Sequence, residues 1–224
     1  SNINLHIKPG MTVGIIGGII PDPSGKENSV EVLINNITVD NSCSIVGHST
    51  VGGIVGYIGA EVNADMENSR VTIKNCNVAA SIESKDSIGA VAQYAQVGGI
   101  VGYIARCGGL NLTIENCEVT AKMKGYYAVG GIIGSVDKTI TINVKGNTKI
   151  NANIVSAGNS ANLYSTENSA KELKDRSVLG IYIGTLQGGC GNNSVVLNVE
   201  SSVTNNVTGT NKEIGNPNGK LKTN

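Results

Sequence analysis

The dominant pattern along this chain is alternation with a period of two. In Val71-Thr72-Ile73-Lys74 the apolar side chains fall on one face and the polar ones on the other, and Leu112-Thr113-Ile114-Glu115 repeats the arrangement. Successive side chains of a strand point to opposite faces, so each run predicts a strand with one buried side. The alternation breaks at Asn75 and Asn116, after which Cys76 with Val78, and Cys117 with Val119, resume the inward face. An asparagine at such a break turns the chain, because it enters the left-handed region more readily than other side chains do. Its amide can also reach the asparagine of a neighbouring coil, so Asn36, Asn75 and Asn116 are expected to stack.

Two phrases recur in fixed order. Val51-Gly52-Gly53-Ile54-Val55-Gly56-Tyr57-Ile58 returns as Val97-Gly98-Gly99-Ile100-Val101-Gly102-Tyr103-Ile104 and as Val129-Gly130-Gly131-Ile132-Ile133-Gly134-Ser135-Val136. Looser copies follow Thr12 and Val178, marked by Gly14 and Gly180. Each copy is followed by an alternating phrase of the Val-Thr-Ile-Lys-Asn-Cys type. The intervals between the glycine markers are unequal, so the strands are conserved in pattern and the insertions fall in corners, where backbone groups reach water. Glycine inside a strand marks a bend or a close backbone approach, and Gly53, Gly56, Gly99, Gly102, Gly131 and Gly134 are read that way. Ala80-Ser81-Ile82-Glu83 and Ala121-Lys122-Met123-Lys124 supply a third strand per turn. These observations predict an all-β chain: a right-handed parallel β-helix, or closely related β-solenoid, of about five irregular repeats that bury their apolar faces only by stacking. It forms a single domain over residues 1–200. The polar stretch 156–177 is a loop with a short helix predicted over 165–174, and residues 201–224 read as a polar cap or a linker.

Composition sharpens this picture. The apolar residues are mostly Val, Ile and Ala, with no Trp and no Phe, as a thin core of β-branched side chains requires. Net charge is zero and only Arg70, Arg106 and Arg176 are arginines. A nucleic-acid binder needs a basic excess and stacking aromatics, so that class is set aside. No segment long and apolar enough for a membrane span occurs, and no membrane insertion is expected. The chain starts within a strand-like alternation, as a piece of a longer protein would. Five cysteines occur without a C-x-x-C spacing, which argues against zinc and redox motifs. Cys76 and Cys117 read as small buried hydrophobes. If the coils stack in register, their sulfurs come close enough to bond in an oxidising setting.

The glycine phrase followed by Val-Thr-Ile-x-Asn-Cys-x-Val resembles the GLUG-type repeat of large secreted or surface-attached bacterial proteins, some immunoglobulin-A peptidases among them. The likeness is good around Gly53, Gly99 and Gly131 and weaker in the first and last copies. It implies an extracellular or cell-surface setting, a role as stalk, spacer or adhesive surface, and no catalytic residues. The partner it suggests is a glycan or protein of a host or neighbouring cell.

Candidate chemistry is sparse. Glu61, Asn63, Asp65 and Glu67 place oxygen ligands on alternate residues, as a calcium loop would, against a plain corner insertion. No other cofactor is indicated. Tyr57 and Tyr103 occupy equivalent repeat positions and form a candidate stacked pair for a sugar, or else half-buried fillers of a corner. Cys107 beside Arg106 has no histidine near in sequence to serve as base and reads as a loop cysteine. A polysaccharide-degrading β-helix enzyme would need a strip of converging carboxylates. Glu115 opposite Lys74 reads instead as a cross-strand ion pair. The expectation is therefore a non-enzymatic surface module, with the enzyme and a purely structural spacer as alternatives.

Overall fold

A computed structural model describes residues 4–6, 12–19, 29–85, 96–125, 128–156, 179–186, 194–217 and 220–222. The alternating runs become strands, and every strand pair among these residues is parallel. The chain is all-β, with no helix among the described residues, and is built as a parallel β-solenoid. The helix predicted over 165–174 lies outside the described residues.

Each pass of the chain contributes to five stacked sheets rather than the three strands per turn expected. The first sheet holds Ser44–Gly47, Ser81–Ser84, Lys122–Gly125 and Asn153–Ser156 in register, with Asn4–His6 at its end. The glycine phrase splits in two. Val51–Gly52, Gln96–Gly98, Ala128–Gly130 and Leu179–Gly180 form the second sheet, while Val55–Asp65, Val101–Gly108, Ile133–Val136 and Ile183–Leu186 lie in the third. The asparagine phrase splits likewise. Arg70–Lys74, Asn111–Glu115 and Thr141–Lys145 belong to the fourth sheet, and Asn77–Val78, Glu118–Val119 and Lys149–Ile150 to the fifth. A physical pivot lies behind each split. At Gly53-Ile54 the chain reverses, with Ile54 and Val55 both donating to the Ile100 carbonyl at 3.0 and 2.9 Å. At Asn75 and Asn116 the backbone takes positive φ.

The core is a set of columns running along the solenoid. Ile45, Ile82, Met123 and Ile154 stack in one; Val71, Leu112, Ile142 and Leu197 in another; Val39, Val78, Val119 and Ile150 in a third. All are buried. Each such side chain contributes about 1.5–3 kcal/mol of burial free energy, and it gains this only when the next coil is in place. The end segment continues the stack: Thr204–Asn205, Ile214–Pro217 and Lys220–Lys222 extend the fifth, third and fourth sheets.

The second and third sheets pack through glycines facing each other. A β-carbon on Gly52 would lie 2.6 Å from the Gly102 nitrogen, and one on Gly98 would lie 2.7 Å from the Gly134 nitrogen. From the other side, a β-carbon on Gly102 would lie 2.9 Å from the Val51 carbonyl carbon, and Gly134 and Gly184 face Val97 and Val129 in the same way. Gly53, Gly99 and Gly131 do a different job. Their missing side chains leave room for Val78, Val119 and Ile150 of the fifth sheet. The pairing also corrects the alignment of the outer copies: Gly180 pairs with Gly130, and the Val13–Val51 bridge puts Gly14 beside Gly52. Both belong one residue earlier than the Gly53 column to which the sequence pattern assigns them.

The seam makes a sharp prediction. Gly130→Ala forces a β-carbon against the Ile133 carbonyl and the Gly184 nitrogen. It should cost about 3 kcal/mol or more, at or above the top of the usual overpacking range, because the atoms it meets are backbone and cannot swing aside. Gly17→Ala, where nothing lies within 4 Å, should change stability by about 0.5 kcal/mol or less. Urea unfolding of the two variants measures the contrast.

Candidate functional site

The asparagine corners come first, because they aim the residues around them. Asn36, Asn75 and Asn116 hold φ of 60, 53 and 52°, and Gly146 takes the same turn at 63°. Their backbone N–H groups continue the ladder, donating to the carbonyls of Lys74, Glu115 and Lys145 at 3.2, 3.0 and 3.3 Å. The expected side-chain stack is only partly formed. The Asn75 amide donates to Asn35 rather than Asn36, at 2.9 Å, and the Asn116 amide reaches the Asn75 oxygen at 3.5 Å, the outer edge of hydrogen bonding. Asn116 Oδ1 instead accepts from the Asn147 backbone at 2.9 Å.

The asparagine corners turn the next residue inward, and the Gly146 corner the second residue after it. Ile37, Cys76, Cys117 and Thr148 form one inward column, partly buried at Ile37 and buried at the other three, tied by Asn77 N–H to the Ile37 carbonyl, Glu118 N–H to Cys76 and Lys149 N–H to Cys117, each at 2.8 Å. The column passes through Thr148, whose hydroxyl accepts the Cys117 N–H at 3.3 Å, to the partly buried Val203, with Thr204 N–H donating to the Thr148 carbonyl at 3.1 Å. Cys76 and Cys117 are free thiols, as is Cys43, and all are buried. Cys76 Sγ lies 3.1 Å from the Lys74 carbonyl and Cys117 Sγ 3.3 Å from that of Glu115. The two thiols are neighbours in this column, and Cys117 Sγ reaches the coil of Cys76, 3.5 Å from the Ile73 carbonyl. A hydrogen bond from Cys117, helped by the backbone N–H groups of Ile37 and Asn36, draws the Cys76 thiol down to about 7 against the effect of burial. Cys117, donating that bond from a buried position, is pushed up.

The tyrosines stand where the repeat pattern places them, in register on the third sheet. Their ring centroids are 5.9 Å apart at an interplanar angle of 64°, an edge-to-face pair rather than a flat platform. Both are half-buried. The Tyr57 ring lies over Gly59, whose α-carbon leaves no room for a side chain beneath it, and burial pushes the Tyr57 hydroxyl up. Tyr103 donates to Asp137 Oδ2 at 2.9 Å, and the other Asp137 oxygen accepts the Arg106 N–H at 3.1 Å. Arg106 is at φ 60°, a conformation that costs a non-glycine residue about 1 kcal/mol or more. The tyrosine column continues as Ser135 and Thr185, both fully buried.

The proposed calcium segment sits at an irregularity. Ala105 pairs with Gly59 but Cys107 with Ala64, so the backbone from Ala60 to Asn63 bulges opposite Arg106 alone. Glu61 and Asn63 are on this bulge and Asp65 pairs with Gly108; their side chains lie outside the described residues. Glu67 is exposed and packs beside Gly109. Among the described residues no three His, Cys, Asp or Glu side chains gather as a metal site would require.

Carboxylates elsewhere bind neighbouring coils or cap turns. Glu31 pairs with Arg70 at 3.9 Å, Glu83 with Lys124 at 3.3 Å and Glu115 with Lys145 at 3.4 Å. Glu115 is in register with both Lys74 and Lys145, and the ion pair forms on the Lys145 side. Glu200 accepts the Gly146 N–H at 2.9 Å, and Asp40 is held below the usual carboxylate range by bonds from Ser42. Cys107 is not a loop residue: it is fully buried in the strand Val101–Gly108, and burial pushes its thiol up to about 12. Cys190 lies outside the described residues. Asp137, which organises the tyrosine and arginine corner, escaped the sequence pattern because it occurs in one coil only. No protein-family model matches the chain, and no characterised protein or solved structure does either.

Two outcomes follow from this geometry. Asn116→Ala should cost about 1–2 kcal/mol from the positive φ alone, with Asn116→Gly relieving most of it; chemical denaturation compares them. Cys107 is neutral in the fold, its value raised from 9.0 to about 12. The unfolded chain ionises it first, so its share of stability is whole below pH 9 and is lost as pH rises towards 12. Between about pH 8 and about pH 10.5 the reduced protein should lose about 1–2 kcal/mol more than Cys107→Ala does, measured by melting at both values.

Proposed function

We propose that this chain is a non-enzymatic repeat module of a bacterial cell-surface protein, a stalk whose outer face binds glycan through many weak contacts. One observation carries the reading: Glu31, Glu83, Glu115 and Glu200 are spent on ion pairs between coils and on a turn, while past the exposed Leu33 the fourth sheet carries a column of short hydroxyl and amide side chains. Thr72, Thr113, Asn143 and Asn198 stack in register on the fourth sheet, with Asn198 donating to Asn143 at 2.8 Å. Such a column presents donors and acceptors at the repeat of a β-ladder, suited to a hydroxylated chain lying along it. Tyr57 and Tyr103 add an apolar edge, and calcium on the Glu61–Glu67 segment remains part of the proposal as a stabiliser of that corner. The likeness of the glycine phrases to GLUG-type repeats supports the extracellular setting and the host or neighbouring-cell partner. No helix among the described residues is long and apolar enough to cross a membrane.

The test is a glycan array probed with the whole folded chain on a multivalent scaffold. Reproducible binding to one glycan class is expected, with apparent affinity falling about tenfold in Tyr57→Ala, the loss of about one aromatic contact. Silence across the array from a chain with a native β spectrum would overturn the adhesive role and leave a spacer.

A further inference from the structure

We propose that Cys76 and Cys117 are a redox pair that closes into one disulfide between successive coils. The two residues follow corner asparagines of nearly equal φ, 53 and 52°, so their Cα–Cβ bonds point the same way into the same column. The ladder bonds on either side, Glu118 N–H to Cys76 and Lys149 N–H to Cys117, hold the strands in register. Residues stacked in this way in neighbouring strands sit about 4.7–4.9 Å apart, inside the roughly 4.4–6.8 Å that a disulfide spans between α-carbons; their β-carbons share that spacing, a little beyond the roughly 3.5–4.5 Å a disulfide takes, so closure draws the two corners together by a few tenths of an ångström. Cys117 Sγ already reaches the coil of Cys76, lying 3.5 Å from the Ile73 carbonyl.

The pairing is selective. Ile37 and Thr148 flank the pair above and below, so neither thiol has a second sulfur beside it there. Cys43 stacks on Ala80, through the ladder that carries Ser81 N–H to its carbonyl, and Cys107 lies opposite Ala64. Among the described residues no other two cysteines share a column.

The exchange balances from either sulfur; written with Cys76 as the attacking thiolate, Cys117 supplies the second sulfur. With a small-molecule disulfide as oxidant, Cys76 attacks one of its sulfurs, forming a mixed disulfide and releasing one thiolate, which takes up a proton. Cys117 then gives up its proton and attacks Cys76 Sγ, breaking the mixed bond and releasing the second thiol. Two protein thiols are oxidised to one disulfide and one oxidant disulfide is reduced to two thiols. Both protein sulfurs are buried, at 2% and 1% exposure, so the exchange belongs to the open coil, as the chain folds or locally opens, rather than to the closed solenoid.

The experiment refolds the reduced full-length chain in buffer rich in glutathione disulfide, blocks free thiols by alkylation and maps the digest by mass spectrometry. A cross-linked peptide pair holding Cys76 and Cys117 is expected, with Cys43 and Cys107 alkylated. The oxidised protein should melt about 10 °C above the reduced one, as closure of a loop of this length implies. That shift should vanish in Cys76→Ser and in Cys117→Ser. Folded protein from the same buffer with both thiols alkylated, or with either joined to another cysteine such as Cys190, overturns the proposal. The mapping is done on the unaltered chain, so the result stands even if a serine variant fails to fold.

Discussion

The structure depends on two backbones packed against each other with nothing between them. Sheets that pack face to face ordinarily stand about 10 Å apart, because side chains fill the space. Here Gly52 faces Gly102, Gly98 faces Gly134 and Gly130 faces Gly184, and a single β-carbon at any of them would overlap opposing backbone. The chain can therefore run in along the second sheet, reverse at Gly53-Ile54 and return along the third within one coil. Without the seam the return strand would be displaced outward and the columns of the third sheet, Ile58 with Ile104 and Val136, would lose their register with the rest of the core.

That constraint accounts for the composition. A coil folded this tightly has a narrow interior, and β-branched residues stacked on copies of themselves fill it without voids. Large aromatic side chains are nearly excluded from it: Tyr182 alone among the described tyrosines is buried, in the ladder beside Ile132, while Tyr57 lies over Gly59 at the margin and Tyr103 bonds to Asp137. Register is equally constrained. A slip of one residue would set a valine against the glycine seam and turn Ile73 and Ile114 outward together, since a strand changes face with every residue. Variation is thus expelled to corners, as in the bulge from Ala60 to Asn63, which opposes Arg106 alone.

Much of this was legible in the sequence, for a physical reason. Repetition reports stacking, and period two reports which side is buried, so the strands, the inward Cys76 and Cys117 and the positive φ at the asparagines could all be read from the chain. What could not be read is where a strand bends without changing its alternation. The doubled glycine was taken as a marker of one close approach, but Gly52 and Gly53 serve two different contacts, one across the seam and one into the fifth sheet. The split into five sheets depends on that distinction. Asp137 was illegible for the opposite reason: it occurs once, so no repeat points to it, and its importance comes only from Tyr103 and Arg106 converging on it in space.

The same division between repeated and unrepeated residues separates what the chain must keep from what it can vary. Seam glycines, corner asparagines and core columns are constrained by their neighbours in the adjacent coils, and a change in one coil is felt by two others. Outward positions of the fourth sheet are held only by polar contacts, such as Asn198 with Asn143: Thr72, Thr113, Asn143 and Asn198 differ along one column while the inward column beside them, Ile73, Ile114 and Val144, stays apolar. A fold of this kind gains a new surface by substitution on its outer columns and by insertion at its corners, leaving the interior untouched. Under the proposed adhesive role, recognition would be spread along columns and over successive coils, and affinity would grow with the number of coils engaged.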